Sequence, residues 1–214
     1  LIRQSQIIFL PGGFSGGDEP EGSGKFITAF FRNGLIKDAV HELLKVRKGL
    51  MGGICNGFQA LIKLGLAPYG EITDCKPSDP TLTFNRIGRH QSKLVRVKVC
   101  SNSSPWLSEH EIGDVGLLPI SHGEGRFVAD EQFIKKLAEN GQIATQYVDE
   151  NGNPTMDIDY NPNGSVAAVE GITSPDGRVF GRMGHSERYG DNLYKNVPGQ
   201  RDTAMFRGAV RYFE

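Results

Sequence analysis

Short apolar runs alternate with longer segments of helical periodicity along this chain. The short runs predict buried strands: QIIFL, LMGGIC, Thr81–Phe84, Lys93–Val99, VGLLPIS, QIATQYVD, and both arms of a hairpin that turns at SPDG. Helices are predicted at 25–48, divided by Asn33-Gly34, at 57–65 and at 131–139. Because helices separate many of the strands, we expect an α/β fold with an open, mostly parallel sheet flanked by helices and an added β-hairpin region. Ligands should bind at the carboxyl edge of such a sheet.

Charge and cysteine content narrow the classes of partner. Lys and Arg number 24 against 25 Asp and Glu, a formal net charge of −1, so we expect no nucleic-acid partner and no membrane partner. No apolar run approaches the roughly 18 residues that cross a bilayer. The three cysteines are odd in number and lack CxxC spacing. This pattern disfavours disulfides and zinc and predicts a reducing, cytoplasmic location.

The sequence GICNG at 53–57 has the form of a nucleophile elbow, a sharp turn between a strand and a helix. The flanking glycines matter because the strained turn leaves no room for side chains. The turn would lift the Cys55 sulfur clear of the sheet, and the following helix N-terminus would favour the thiolate. A cysteine in an apolar run is also compatible with an inert core residue, and these residues alone leave that alternative open.

A thiolate nucleophile needs a partner that handles protons. His185 lies at the end of a predicted strand, and Glu187 follows two residues later, on the same side of an extended chain. The carboxylate could hold the imidazole in the tautomer that a catalytic triad requires. The alternative for His185 is a purely structural histidine.

The loop GGFSGGD at 12–18 has three interpretations. A phosphate cradle is disfavoured because the loop lacks both the Gly-Lys-Ser/Thr of a P-loop and the GxGxxG spacing. A plain flexible turn is the second interpretation. The third is that Gly12 and Gly13 present backbone N–H groups to a reaction centre.

Five motifs together give the chain a family resemblance: PGGFSGGD, GICNGFQAL, PISHGEGRF, NPNGS…GITSPDGRV and MGHSER. From about Gln6 to Phe213, the sequence resembles the C-terminal class I glutamine amidotransferase (glutaminase) domain of large-type phosphoribosylformylglycinamidine synthase. The GxCxG elbow with HxE is shared by all class I amidotransferases, whereas the longer motifs are narrower. The resemblance implies a flavodoxin-like fold of the class I amidotransferase type and a single glutaminase domain over 1–214.

The resemblance also implies a reaction. Cys55 would attack the side-chain carboxamide of L-glutamine to form a γ-glutamyl thioester and release ammonia. His185 would protonate the ammonia and then activate water, while Glu187 orients the imidazole. The backbone N–H groups of Gly13 and Asn56 would hold the oxyanion.

Glutamine-holding positions follow from the same resemblance. They are Gln59 and the residues His122, Gly123 and Glu124 of a predicted loop at 122–125. Glu124 would meet the substrate's α-ammonium group, whereas His122 is equally compatible with a structural role. The ammonia would pass to synthase domains of the same polypeptide, where ATP and Mg²⁺ would convert formylglycinamide ribonucleotide to formylglycinamidine ribonucleotide. We expect no cofactor and no metal in the domain itself.

The chain departs from the family pattern in two places. It has MGHSER where the family has MPHPER, so Gly184 and Ser186 replace prolines and alter backbone stiffness near His185. The family's first strand and its loop have no counterpart, so we expect a fragment that lacks that strand. Three alternatives stay open: another class I amidotransferase domain, a cysteine peptidase of similar fold, and an inactive interaction fragment of the synthase. A peptidase would need a histidine closer to the nucleophile, and the intact triad disfavours an inactive fragment.

Overall fold

The computed structural model describes residues 1–13, 24–190, 193–198 and 204–214. Within these ranges the strands are β1 Ile7–Leu10, β2 Leu50–Ile54, β3 Thr81–Phe84, β4 Gln91–Val99, β5 Val115–His122, β6 Glu124–Val128, β7 Ile143–Tyr147, β8 Val169–Thr173 and β9 Val179–Arg182. The helices are α1 Lys25–Phe31, α2 Gly34–His41, α3 Asn56–Lys63, α4 Leu66–Tyr69, α5 Glu131–Glu139 and α6 Ala204–Arg211. A π-helical turn, Glu42–Val46, continues α2.

The described strands form a seven-stranded sheet in the order β1-β2-β9-β8-β7-β4-β5, and β3 pairs with β6 in a separate two-stranded sheet. The predicted α/β fold is confirmed. Five of the seven strands in the main sheet (β1, β2, β9, β7 and β5) run in the same direction, yet only β1-β2 and β2-β9 are parallel neighbours. The sheet is therefore more mixed than predicted, because β8 and β4 run the opposite way and separate the remaining co-directional strands.

Local sequence signals placed most elements well. Asn33 ends the first helical segment and caps α2 by accepting from Leu35 N–H at 3.1 Å. Gly65, with φ +80°, ends the α3 segment as predicted. The predicted loop at 122–125 is wrong in its extent, because β5 runs to His122 and β6 begins at Glu124. Pairing of β3 with β6 keeps this segment extended, and that long-range pairing is not visible in local sequence.

The three neighbouring strands β1, β2 and β9 end at one edge of the sheet. Their carboxyl ends lead into Pro11–Gly13, into Cys55 and into the segment containing His185. Strand β5 also reaches this edge, because His185 N–H donates to Pro119 O at 2.9 Å. The fold thus gathers the predicted site residues at the carboxyl edge, as an α/β sheet should.

The principal core lies where α3 packs on β2. Every residue of β2 is buried, and Phe58 and Leu61 of α3 are fully buried with Ile54. A Cβ on Gly52 would lie 2.6 Å from Trp106 Cη2, so this strand is tightly covered on its other face too. No helix in the described ranges is long and apolar enough to span a membrane.

Candidate active site

Cys55 sits at the turn between β2 and α3, with φ 53° and ψ −110°. L-residues rarely adopt this conformation, and such strain often marks functional sites. The turn is held by close backbone packing. A Cβ on Gly53 would lie 2.8 Å from Gly57 C, and one on Gly57 would lie 2.0 Å from Leu10 O. The strand-turn-helix elbow and its two glycines are therefore present in the structure.

The Cys55 thiol is only 6% exposed, and opposing effects act on its pKa. Burial raises the pKa of the thiol above its ordinary value, while the N–H groups of Asn56 and Gly13 oppose the rise by hydrogen bonding to the sulfur. The net pKa is raised, so burial outweighs the stabilisation of the thiolate expected from the helix N-terminus. In this state Sγ contacts Ser121 O at 3.8 Å.

His185 is 1% exposed, and its Nδ1 lies 2.5 Å from Glu187 Oε1. Because a carboxylate only accepts, Nδ1 donates, and the neutral ring carries its lone pair on Nε2. That Nε2 is buried and has no hydrogen-bond partner among the described residues. Burial works to raise the pKa of Glu187, but the hydrogen bond from His185 prevails and the net pKa is lowered.

Gly12 brings the two side chains together. A methyl group there would lie 2.7 Å from His185 Cε1 and 3.2 Å from Cys55 Cβ, so both side chains border Gly12 and leave no room for a larger residue. Gly13 follows with φ +124°, and its N–H faces the Cys55 sulfur. The remainder of the predicted loop, 14–18, lies outside the described residues.

The predicted glutamine-holding residues lie beside the elbow. Gln59 is on the first turn of α3, and its Nε2 donates to Glu124 O, while its buried Oε1 has no partner among the described residues. The Glu124 side chain is buried. A Cβ on Gly123 would meet nothing within 4 Å, so this residue borders open space. Gln59, Gly123 and Glu124 are thus brought together on one side of the elbow.

His122 is held by Asn85. The Asn85 oxygen accepts from Gly125 N–H at 3.2 Å and lies 3.1 Å from His122 Nδ1, so Nδ1 carries the proton. Its Nε2 is a buried acceptor with no partner in the described part of the chain. Burial, helped by the repulsion that a protonated His122 would meet from the neighbouring imidazoles, lowers the pKa of His122 to about 3. His122 is therefore neutral at physiological pH.

The lowered pKa of His122 predicts a pH-dependent stability. The unfolded imidazole takes up a proton near pH 6.5 and the folded one only near pH 3. The contribution of the neutral His122 to the stability of the fold is therefore complete above the unfolded pKa, and it is lost as pH falls through this interval. We expect the free energy of unfolding, measured with urea, to fall between about pH 7 and about pH 4.5. The fall should be about 2.5 kcal/mol smaller in His122→Asn than in the wild type. The control is His90→Asn at an exposed imidazole, and equal losses in wild type and His122→Asn would contradict the prediction.

Several site residues were not identified from the sequence. Ser121 contributes its backbone carbonyl, which leaves no side-chain signal. Asn85 lies in an ordinary polar turn, and only the β3-β6 pairing brings it beneath His122. Glu170 and Arg182 did carry a signal, because each places a charge in an otherwise apolar arm of the hairpin. Both are fully buried next to the segment containing His185.

Comparison with known proteins gives consistent matches. Residues 1–213 match the model of the family described as the CobB/CobQ-like glutamine amidotransferase domain. The chain is 40% identical over 184 residues to "Phosphoribosylformylglycinamidine synthase subunit PurQ" of Methanococcus maripaludis, covering 86% of this chain and 65% of that protein. It is 35% identical over 204 residues to the Aquifex aeolicus subunit of the same name, covering 92% and 79%. The chain thus spans slightly less than two thirds of the archaeal relative.

Solved structures agree. "Structure of PurLQS from Thermotoga maritima" superposes with a TM-score of 0.69 and 28% identity, covering 98% of this chain and 80% of that one. The glutaminase domain of Trypanosoma brucei CTPS gives a TM-score of 0.52 at 15% identity, covering 98% and 73%. The second match shows a shared fold only.

Proposed function

The chain belongs to the CobB/CobQ-like glutamine amidotransferase family, and on this basis we propose that it hydrolyses L-glutamine at Cys55 and delivers the ammonia to a synthase. One observation carries the proposal. The N–H groups of Gly13 and Asn56 converge on the Cys55 sulfur, next to a histidine whose Nε2 is buried and unpartnered among the described residues. This arrangement supports the assignment of a nucleophile, an oxyanion site and a base to these neighbouring residues.

In the first half-reaction, Cys55 Sγ attacks the carboxamide carbon and His185 Nε2 takes up the thiol proton. The raised pKa of Cys55 makes this transfer necessary, because the resting sulfur is a thiol. The developing oxyanion accepts from the N–H groups of Gly13 and Asn56, and each such donor is typically worth about 10²–10³-fold in rate. The C–N bond then breaks, and ammonia leaves with the proton that His185 carried.

In the second half-reaction, water attacks the γ-glutamyl thioester. His185 Nε2 accepts a proton from the water, the C–S bond breaks, and the proton returns to the sulfur as glutamate is released. Glu187, at 2.5 Å from Nδ1, keeps the imidazole in the tautomer that both steps require and stabilises its charged form. The net change is glutamine plus water to glutamate plus ammonia.

The substrate's polar groups would be held on the other side of the elbow. The free Oε1 of Gln59 and the neutral Nε2 of His122 are both buried acceptors without partners in the described structure. They match the donors that glutamine offers, the carboxamide NH₂ and the α-ammonium group. Gly123 leaves space there, and Glu124 would supply a carboxylate for the ammonium group.

The ammonia is proposed to serve phosphoribosylformylglycinamidine synthesis in purine biosynthesis, since the relatives at 35–40% identity carry that name. ATP and Mg²⁺ would act in the synthase, which converts formylglycinamide ribonucleotide to formylglycinamidine ribonucleotide. These relatives are named as a subunit, PurQ, and the Thermotoga maritima structure is named PurLQS. The names favour a synthase on separate subunits over the fused, large-type arrangement expected from the sequence. The mass of the polypeptide in cells distinguishes the two arrangements.

Covalent labelling tests the proposed chemistry. A diazo-ketone analogue of glutamine should alkylate Cys55, because the amino-acid group directs the reagent to the buried thiol. Cys75 is exposed, so iodoacetamide should label Cys75 first. We therefore expect the glutamine analogue to label Cys55 before Cys75 and iodoacetamide to label Cys75 before Cys55. Excess L-glutamine should slow only the reaction of Cys55. Peptide mapping by mass spectrometry reads out both sites.

The control is the wild type treated with each reagent after urea unfolding, where the two thiols should react alike. Preferential labelling of Cys75 by the glutamine analogue, or labelling of Cys55 that L-glutamine does not slow, would contradict the proposed function.

A further inference from the structure

A buried ion pair lies directly behind the segment that carries His185. Arg182 Nε is 3.2 Å from Glu170 Oε2, and the two side chains are 1% and 0% exposed. Thr145 Oγ1 donates to the same carboxylate oxygen at 2.6 Å. The two charges come from opposite arms of the β8-β9 hairpin. Neither is used in the reaction proposed above.

This pair is bonded to both halves of the reaction centre. Gly184 N–H donates to Glu170 Oε1 at 2.6 Å, and Arg182 Nη1 donates to Ser186 Oγ at 3.1 Å, so the residues on each side of His185 are held. The backbone carbonyl of Arg182 accepts from Cys55 N–H at 2.9 Å. One charged pair thus fixes the histidine segment against the strand that is hydrogen-bonded to the nucleophile.

Burial of two charges is not explained by stability alone. A buried ion pair often contributes no more free energy than apolar residues of the same volume, because desolvation offsets the Coulomb attraction. A satisfied polar network does, however, select one arrangement of the groups it bonds. Gly184, next to His185, gives the backbone little intrinsic stiffness. The Glu170–Gly184 bond also requires a backbone N–H, which proline lacks.

We propose that Glu170 and Arg182 are positioning residues that hold His185 at its working distance from Cys55. The inference deepens the proposed function and rests on it. The Nδ1 of the imidazole is bonded to Glu187, whereas Glu170 accepts from Gly184 N–H and Arg182 donates to Ser186 Oγ. Their effect is therefore transmitted through Gly184 and Ser186 to the backbone on both sides of the histidine.

Two double variants separate positioning from core stability. E170L/R182M removes both charges and both attachments, whereas E170Q/R182M removes both charges but keeps an oxygen acceptor for Gly184 N–H. E170L/R182M should lower kcat for glutamine hydrolysis about 10- to 100-fold, with KM within about 2-fold, because small misplacements of catalytic groups cost rate rather than binding. E170Q/R182M should recover part of that loss. Ser186→Ala, a milder change, should lower kcat about 2- to 10-fold.

Arg178→Met is the matched control. Arg178 lies just before β9 and pairs with Asp176 at 2.6 Å, far along the hairpin from His185. The same substitution there should leave kcat within about 2-fold of the wild type. All variants are assayed as the full chain with the synthase partner present. Ser186→Ala keeps the test available if a double variant fails to fold.

The short hydrogen bond from His185 Nδ1–H to Glu187 should give a strongly downfield ¹H resonance, a readout that needs no glutamine. E170L/R182M should broaden or abolish it, and Arg178→Met should preserve it. If the wild type does not hydrolyse glutamine, the proposed function fails, while this resonance still tests the positioning. An active wild type with unchanged kcat in E170L/R182M and Ser186→Ala would overturn the inference. Equal kcat losses in the two double variants with an unchanged resonance would overturn it too.

Discussion

Replacing Cys55 by serine should lower glutamine hydrolysis by at least about 10⁴-fold. The hydroxyl is a far weaker nucleophile than the thiol, and His185 is positioned to activate sulfur at this turn. In a complex with the proposed synthase, ammonia-dependent synthesis should survive, because free ammonium salt bypasses the missing step. Glutamate release and product formation with glutamine or with ammonium salt, measured on the same complex, check both expectations.

Cys75→Ser is the matched control, since it makes the same chemical change at an exposed thiol. It should leave both activities unchanged. Loss of ammonia-dependent synthesis in Cys55→Ser would instead indicate a structural role for Cys55, which is the core-residue alternative left open by the sequence.

Replacing Gly57 by alanine should destabilise the protein by about 3 kcal/mol or more and lower Tm by roughly 6–12 °C. Alanine would be favoured over glycine within a helix by about 1 kcal/mol. Packing opposes this preference, because the new methyl would lie 2.0 Å from Leu10 O. A backbone atom cannot rotate away, so α3 must move off β1 and carry the elbow with it. Urea and thermal unfolding measure the loss, and glutaminase activity should fall with it.

Gly34→Ala is the control for this change. Gly34 begins α2, and a Cβ there would meet nothing within 4 Å. Stability should stay within about 1 kcal/mol of the wild type, with any change favourable. If Gly57→Ala were equally harmless, close packing of α3 against β1 could not be what holds the elbow.

Helix and strand positions were largely readable from the chain because their signals are local. Asn33 and Gly65 act on their own backbones, so helix ends could be predicted there. The course of 122–125 could not, because it depends on hydrogen bonds between β6 and β3, some forty residues earlier. The pairing order of the sheet was inaccessible for the same reason. A strand's direction follows from its connections, but its neighbours are chosen by packing of the whole domain.

The same division holds at the candidate site. The elbow follows from residue type and short spacing, because a strained turn demands its glycines. The His185–Glu187 pair was predicted for the wrong reason: β9 ends at Arg182, and Arg188 N–H donates to His185 O at 3.2 Å, so a turn rather than strand alternation brings Glu187 to the imidazole. The relative position of Cys55 and His185, by contrast, depends on contacts between distant segments. These contacts are the close approach of both side chains to Gly12, the hydrogen bond from His185 N–H to Pro119 O, and the buried Glu170–Arg182 pair. The state of the thiol also depends on tertiary context. Burial raises the pKa of Cys55 more than the local N–H groups lower it, and burial exists only once distant segments have packed around the turn.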